Sequence, residues 1–283
     1  MKRNLLMVLP LVLLISLFPV LTGCGSDEDT NGNSGSNGDF GKVELSGNIS
    51  EAGSTSVQPL VERMATEFMN IHSKVRVTVS GGGSSAGVQS CAKGMVDIGA
   101  ASRDIKITEA DLIPIAIARD AVAVVVHPDN PVSGLTLEQV KQIYEGDITN
   151  WSQVGGKDKK IVVISREEGS GTRDCFESKV TREIKLDALF FDSNGAVSTK
   201  VSSESNAIGY LSLGYVGKLK ALSLDGIEPS IENCRSGKYP VLRRLYVLTR
   251  EVPDGVVKEF LDFCRSDAGQ QIAEAEGYIP LVK

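Results

Sequence analysis

The chain has 283 residues, 41% hydrophobic and 5% aromatic, and its 30 basic against 36 acidic side chains leave a formal net charge of −6. This is a globular composition with enough length for two cores, and an acidic chain without a Lys/Arg cluster speaks against a grip on nucleic acid. With only His72 and His127, and no Cys-x-x-Cys spacing, the chain lacks the ligands of an ordinary zinc site, so no metal or cofactor is expected.

In chain order, Lys2 and Arg3 precede an apolar run, Leu5 to Leu21, that reads as the charged head and apolar core of a signal peptide over residues 1–23. Pro10 and Pro19 disfavour the alternative of a membrane-spanning helix. The run ends in Leu21-Thr22-Gly23-Cys24, which resembles a bacterial lipoprotein cleavage box with Cys24 as the lipidated residue. Residues 24–42 then read as a flexible Ser/Asn/Gly/Asp tether, too polar to offset its chain entropy by burial. Such a leader places the protein outside the cytoplasm, held to the outer face of a membrane by its lipid.

Beyond the tether, the apolar spacing alternates between two periods. Val43, Leu45 and Ile49 fit a strand, Val57 to Met69 a helix, and Val75, Val77 and Val79 a second strand. A Gly/Ser loop from Gly81 to Gly87 leads into a short helix carrying Val88 and Cys91, then a strand from Met95 to Ala101. This β-α-β-α-β order predicts a layered α/β sheet. Two further strands are predicted at Ile113 to Ala118 and Ala121 to Val126, a helix at Leu135 to Tyr144, and a strand at Lys160 to Ser165 with a helix after Thr172. Strands at Ala207 to Leu213 and Leu242 to Leu248 precede two helices between Asp254 and Ala275, split near Ser266. His72, His127 and Trp151 read as structural residues.

Three of these helix starts share one design, a small hydroxyl residue beside glycine: Gly53-Ser54-Thr55-Ser56, Gly83-Ser84-Ser85 and Gly169-Ser170-Gly171-Thr172. Unpaired backbone N–H groups and the positive end of the helix dipole suit a helix start to an anion, and a hydroxyl adds a donor. Each alone is explained as an N-cap, but three in one chain ask for more. Arg166, four residues before Ser170 at a strand end, is placed to clamp an oxyanion with its paired donors. Ser102, Arg103 and Asp104 form a fourth polar cluster after a strand, with turn capping as the alternative.

These segments, with Asp97-Ile98-Gly99-Ala100, Ile148-Thr149-Asn150-Trp151 and Asn206-Ala207-Ile208-Gly209-Tyr210, occur in the order seen in the phosphate-binding proteins of ABC importers, which the chain resembles from about Val43 to Lys283. The resemblance implies a two-lobed α/β periplasmic-binding-protein fold of type II, with the chain crossing twice at a hinge. Lobe 1 would be residues 43–126 plus 240–283, and lobe 2 residues 127–239. It implies inorganic phosphate as ligand, membrane permease subunits as partners, a monomer, and no catalysis. By motif, Thr55, Ser56 and Ser84 would donate from lobe 1 and Arg166, Ser170, Gly171 and Thr172 from lobe 2; Ser54 and the polar cluster Ser102, Arg103 and Asp104 join the candidates from the residues themselves. The family's Asp directly after the serine of the Gly-Ala-Ser segment is absent; here the order is Gly99-Ala100-Ala101-Ser102-Arg103-Asp104. The carboxylate that accepts the phosphate proton is then Asp104, or Glu168, which otherwise braces Arg166.

Other readings compete. The same architecture serves sulfate, molybdate or a phosphonate. Gly83-Ser84-Ser85-Ala86-Gly87 matches a nucleophile elbow with Ser85 as nucleophile, but His127 is the only downstream base. Gly81, Gly83 and Ala86 match a loose dinucleotide fingerprint. Cys91, Cys175, Cys234 and Cys264 leave two outcomes open: buried free thiols, or, by the assumed lobe order, Cys91–Cys264 and Cys175–Cys234 disulfides.

Overall fold

The computed structural model describes residues 44–185 and 187–281; the signal sequence, the expected lipidation at Cys24 and the tether lie outside the described residues. Strand β1 (Ser46–Gly53), helix α1 (Gln58–Ile71), β2 (Lys74–Ser80), α2 (Ser84–Ala92) and β3 (Ile98–Ala101) follow one another as the spacing predicts. Helix α1 buries Leu60, Val61, Met64, Ala65 and Phe68 along one stripe, and Pro59 sits in its first turn, where a missing N–H costs nothing. Strand β1 pairs in parallel with β2 and β3.

The two strands expected at Ile113 to Ala118 and Ala121 to Val126 are one strand, β4 (Ile113–Val126). Its first part pairs antiparallel with β11 (Leu242–Thr249), from Ile113 opposite Thr249 to Ala121 opposite Leu242. Its second part pairs antiparallel with β8 (Ala207–Ser212), from Val122 opposite Ser212 to Val126 opposite Ile208. Arg119 and Asp120 interrupt the apolar pattern because the strand changes partners and cores there, not because it turns. Ile117, Ala118, Leu245 and Val247 pack with Ile49, Leu60, Met64, Phe68 and Phe260 in one core. Val122, Val124 and Val126 pack with Tyr144, Trp151, Phe176, Tyr210 and Tyr239 in the other.

The second core is completed by β5 (Gly134–Leu135), α3 (Leu137–Glu145), β6 (Val162–Arg166), α4 (Gly171–Lys179), β10 (Ser223–Leu224) and α6 (Ile231–Arg235), while β7 (Leu189–Phe191), α5 (Asn194–Ser203) and β9 (Lys220–Ala221) pack in a further cluster with Ala123, Val125, Ile164 and Leu211. The main sheet runs β2-β1-β3-β11-β4-β8-β6-β7. The chain returns through β11 to close the first core with α7 (Gly255–Arg265) and α8 (Asp267–Ala275). The fold is thus two-lobed α/β, its two halves joined where β4 and β11 run side by side. Among the described residues no helix is long and apolar enough to cross a membrane.

Cys91, Cys175, Cys234 and Cys264 are free and buried, the first of the two outcomes the sequence left open. The Cys91 thiol donates to the Leu248 carbonyl at 3.3 Å, and burial pushes the Cys234 thiol up to about 12.

Candidate anion-binding site

The three hydroxyl-bearing turns converge. At the first, Gly53 holds φ at +148°, and Ser54 N donates to the Ala100 carbonyl at 3.0 Å, aiming Thr55 and Ser56 past the end of the sheet. At the second, Gly83 holds φ at +89° ahead of α2, whose first turn has no side-chain cap, so its amides are not claimed by a serine of their own. A Cβ on Gly87 would lie 2.6 Å from Gly53 Cα, which shows how closely α2 is seated on β1. At the third, Ser170 caps α4 by accepting from Arg173 N at 3.3 Å. The next residue, Gly171, lies so close that an added Cβ would stand 2.4 Å from Ser84 Oγ and 2.7 Å from Ser102 Oγ.

Across this junction Ser56 Oγ and Thr172 Oγ1 are 3.0 Å apart, and Ser84 Oγ and Ser102 Oγ 3.4 Å apart. Asn194 Nδ2, at the start of α5, donates to Thr55 Oγ1 at 3.1 Å and to Ser56 Oγ at 2.9 Å. At the centre lies Arg243. Its Nη1 donates to Thr172 Oγ1 at 2.9 Å and Ser102 Oγ at 3.2 Å, and its Nη2 to Ser56 Oγ at 2.9 Å. Asp120, directly opposite on β4, accepts from Arg243 Nη2 at 2.6 Å and Nε at 2.9 Å, and from Ser212 Oγ at 2.9 Å. All these side chains are at most 9% exposed, so their donors act in a medium of low dielectric. Hydroxyls and amides from both halves of the chain, around a cation already neutralised by its own carboxylate, make a site for a small oxyanion.

The sequence over residues 40–268 matches the family model of the PBP superfamily domain. It is 32% identical over 291 aligned positions to the phosphate-binding protein PstS of Bacillus subtilis, an alignment that covers 99% of this chain and 95% of that one. The chain belongs to the PstS family. The PstS protein of Borreliella burgdorferi is 32% identical over 82% of this chain and 89% of its own. Among solved structures, the fold is similar to a phosphate ABC transporter substrate-binding protein with bound phosphate from Clostridium perfringens (39% identity, TM-score 0.80, 83% of this chain and 100% of that one). It is also similar to an ABC-type phosphate transport receptor from Vibrio cholerae (37% identity, TM-score 0.70, 82% of this chain and 100% of that one).

Against what the PstS resemblance implies, the structure gathers Ser54, Thr55, Ser56, Ser84, Ser102, Gly171 and Thr172, and places Ser170 as the cap beside them. Arg166 is buried, but its Nε and Nη2 serve the carbonyls of Phe191 and Asp192 at 3.0 and 2.8 Å. Only its Nη1 is buried without a partner among the described residues. Burial lowers its pKa, and the charge of Arg243 adds to the effect, so the two guanidiniums feel each other. Arg103 grips Glu109 through Nη1 and Nη2 at 2.8 Å each rather than joining the hydroxyls. Asp104 is exposed and accepts from Tyr246 Oη at 3.0 Å, and Glu168 is exposed. Neither stands in the cluster; the carboxylate that does is Asp120.

Asp120, Asn194, Ser212 and Arg243 escape a reading of the sequence by motif. A signal was present for two of them: Asp120 and Arg243 are charges inside otherwise apolar strand patterns, a position charge rarely occupies without a partner. Ser85, the nucleophile of the elbow reading, has Arg103 Nη2 at 3.4 Å as its hydrogen-bond partner, while His127 Nδ1 accepts from Asp129 N. Trp151 is buried and donates through Nε1 to the Asn206 carbonyl at 2.9 Å, an anchor for its loop.

Proposed function

We propose that this chain captures inorganic phosphate between its two lobes and delivers it to an ABC-type importer, without chemistry on the anion. The observation that carries the reading is the buried ring of Ser56, Ser84, Ser102 and Thr172 hydroxyls, drawn from both halves of the chain onto Arg243. An anion entering between Ser56 and Thr172 exchanges one hydroxyl–hydroxyl bond for two hydroxyl–anion bonds. Thr55, the amides at the starts of α2 and α4, and the unpartnered Arg166 Nη1 are the further donors we assign to it.

Near neutral pH phosphate keeps at least one proton and sulfate none. We assign the acceptor of that proton to Asp120, whose Oδ1 carries only the Leu213 amide at 3.3 Å. A fixed carboxylate accepts from phosphate and repels sulfate, and a mispaired buried group discriminates steeply. The lobes we assign keep the expected division, residues 43–126 with 240–283 and 127–239, but move its crossing from Val126 to near Asp120, because Val122, Val124 and Val126 pack in the second core. Lipidation of Cys24, a tether to Gly41 and a monomeric, extracytoplasmic life complete the proposal.

Isothermal titration with phosphate, with sulfate as competitor at pH 7, tests it. One phosphate should bind per chain and sulfate should not displace it, and Thr172→Val and Arg166→Ala should each weaken binding by about 1 kcal/mol or more, since each leaves buried partners unpaired. Equal competition by sulfate would refute the assignment of phosphate, and unchanged affinities would refute the donors.

A further inference from the structure

The sequence makes Arg103 a candidate for the anion as part of the polar cluster after β3, but the structure gives it a different occupation. While Nη1 and Nη2 hold Glu109, Arg103 Nε stands 2.9 Å from Asp174 Oδ2, an ion pair by distance whose two atoms lack hydrogen-bond alignment, and Lys106 Nζ lies 3.4 Å from the same oxygen. Arg103, Lys106 and Glu109 follow β3 on the side of the first core; Asp174 lies in the first turn of α4, on the side of the second. Arg103 therefore carries a charge braced by one lobe onto a carboxylate of the other.

Burial separates this contact from its rival. Arg235 and Glu274 also join segments of the two cores, at 2.7 Å, but their side chains are 50% and 53% exposed. The Arg103 side chain is 4% exposed and that of Asp174 27%. A solvated pair contributes almost nothing, whereas opening this one would take Asp174 away from both Arg103 and Lys106, with Arg103 keeping Glu109. The position also matters. Arg103, Lys106 and Asp174 line a groove of about 820 Å³ along the paired strands β4 and β11, together with Arg119 and Arg243. On its other flank Arg103 Nη2 reaches Ser85 Oγ at 3.4 Å, and Ser85 N donates to the Gly169 carbonyl at 3.0 Å. The pair thus lines the open groove, with Ser85 on the other flank of Arg103.

We propose that Arg103 and Asp174 form a latch between the lobes that sets how long a bound anion is held. This deepens the phosphate-capture reading and rests on it. Electrostatics provides a test of sign. Asp174 is an acid in the first turn of the helix that presents Gly171 and Thr172 to the anion, so if charge alone mattered, removing it would tighten anion binding. The latch demands the reverse.

The experiment measures phosphate release from the full chain by chase of radiolabelled phosphate. In parallel, the separation of two spin labels, one on each lobe, is read with and without phosphate. Asp174→Asn should speed release about tenfold with little change in the association rate, as expected when one partner of a buried charge pair is lost. Its label distances should shift toward an open form, Asp174→Glu should recover most of the effect, and Glu274→Gln should change neither readout. Release unchanged or slowed in Asp174→Asn, with label distances as in the wild type, overturns the latch. A wild type that fails to bind phosphate but still opens on Asp174→Asn upholds the latch and refutes phosphate as its cargo.

Discussion

Replacing Asp120 by alanine strikes the point on which the site is built. The carboxylate is fully buried and accepts four hydrogen bonds, from Arg243 Nε and Nη2, Ser212 Oγ and Leu213 N. Its partner Arg243 is 3% exposed in its side chain, so the substitution leaves a guanidinium out of water with only hydroxyls and a carbonyl around it. Breaking a buried pair by removing one member costs about 3–5 kcal/mol. For a chain of this size each kcal/mol lowers the melting midpoint by about 2–4 °C, so scanning calorimetry should show a fall of roughly 6–20 °C. Anions should then repair the defect: phosphate and sulfate should both raise the variant's midpoint more than the wild type's, since either can neutralise Arg243 and neither is turned away by a carboxylate. The pair of changes Asp120→Leu and Arg243→Met should recover most of the stability while abolishing tight anion binding, because a buried ion pair replaced by apolar groups is often neutral. A midpoint for Asp120→Ala within about 2 °C of the wild type, or a double variant no more stable than the single one, would show that the pair does not organise the site.

Two other residues give independent tests. Glu51 is buried in β1 with neither carboxylate oxygen paired among the described residues, and burial, aided by the charge of Glu62, raises its pKa to about 8. The folded chain keeps a proton that the unfolded chain releases near 4.5, so stability is full below about pH 4.5 and declines until about pH 8, by at most about 1.4 kcal/mol per unit. Glu51→Gln should flatten that decline in urea titrations at pH 5 and 8, and parallel curves for the two proteins would count against a neutral Glu51. Gly87→Ala should lift α2 from β1, because the new Cβ would lie 2.7 Å from the Ala52 and Ala100 carbonyl oxygens; a loss of about 1–3 kcal/mol is expected. Gly195→Ala in α5, whose new Cβ would have its nearest neighbour, the Tyr215 ring, 3.9 Å away, should cost nothing, and equal urea midpoints for the two variants would contradict the packing described.

The elements that position the site could be read because they rest on local regularities. The stripe of α1, the alternation in β2 and the serines after Gly53, Gly83 and Gly169 are each decided within a few residues. What escaped depends on partners far along the chain. Arg119 and Asp120 look like a break between two strands until Arg243, 123 residues away, is known to lie opposite Asp120. Likewise the fork of Arg166 is aimed by carbonyls 25 and 26 residues further on, and Asn194 opens a helix whose apolar pattern is too weak to announce it. With Cys24 set aside, the four remaining cysteines were compatible with bridges, but each thiol fills a place in a core large enough not to need them.

The placement of the Arg243–Asp120 pair explains how one site can both hold and surrender an anion. The two residues are cross-strand partners at the point where β4 and β11 pass from one core to the other. Opening about these strands would separate Ser56 and Ser102, fixed to the first core, from Thr172 and Asn194, fixed to the second. Arg243 and Asp120 would stay together, because both ride on the paired strands themselves. Separating this pair is thereby left out of the motion, and what opening would break is the contacts among Ser56, Thr172 and Asn194, the Arg243–Thr172 bond and the ion pair at Asp174. With the central guanidinium neutralised from within, affinity would depend on closure, and a partner that bound the open form more tightly would undo it.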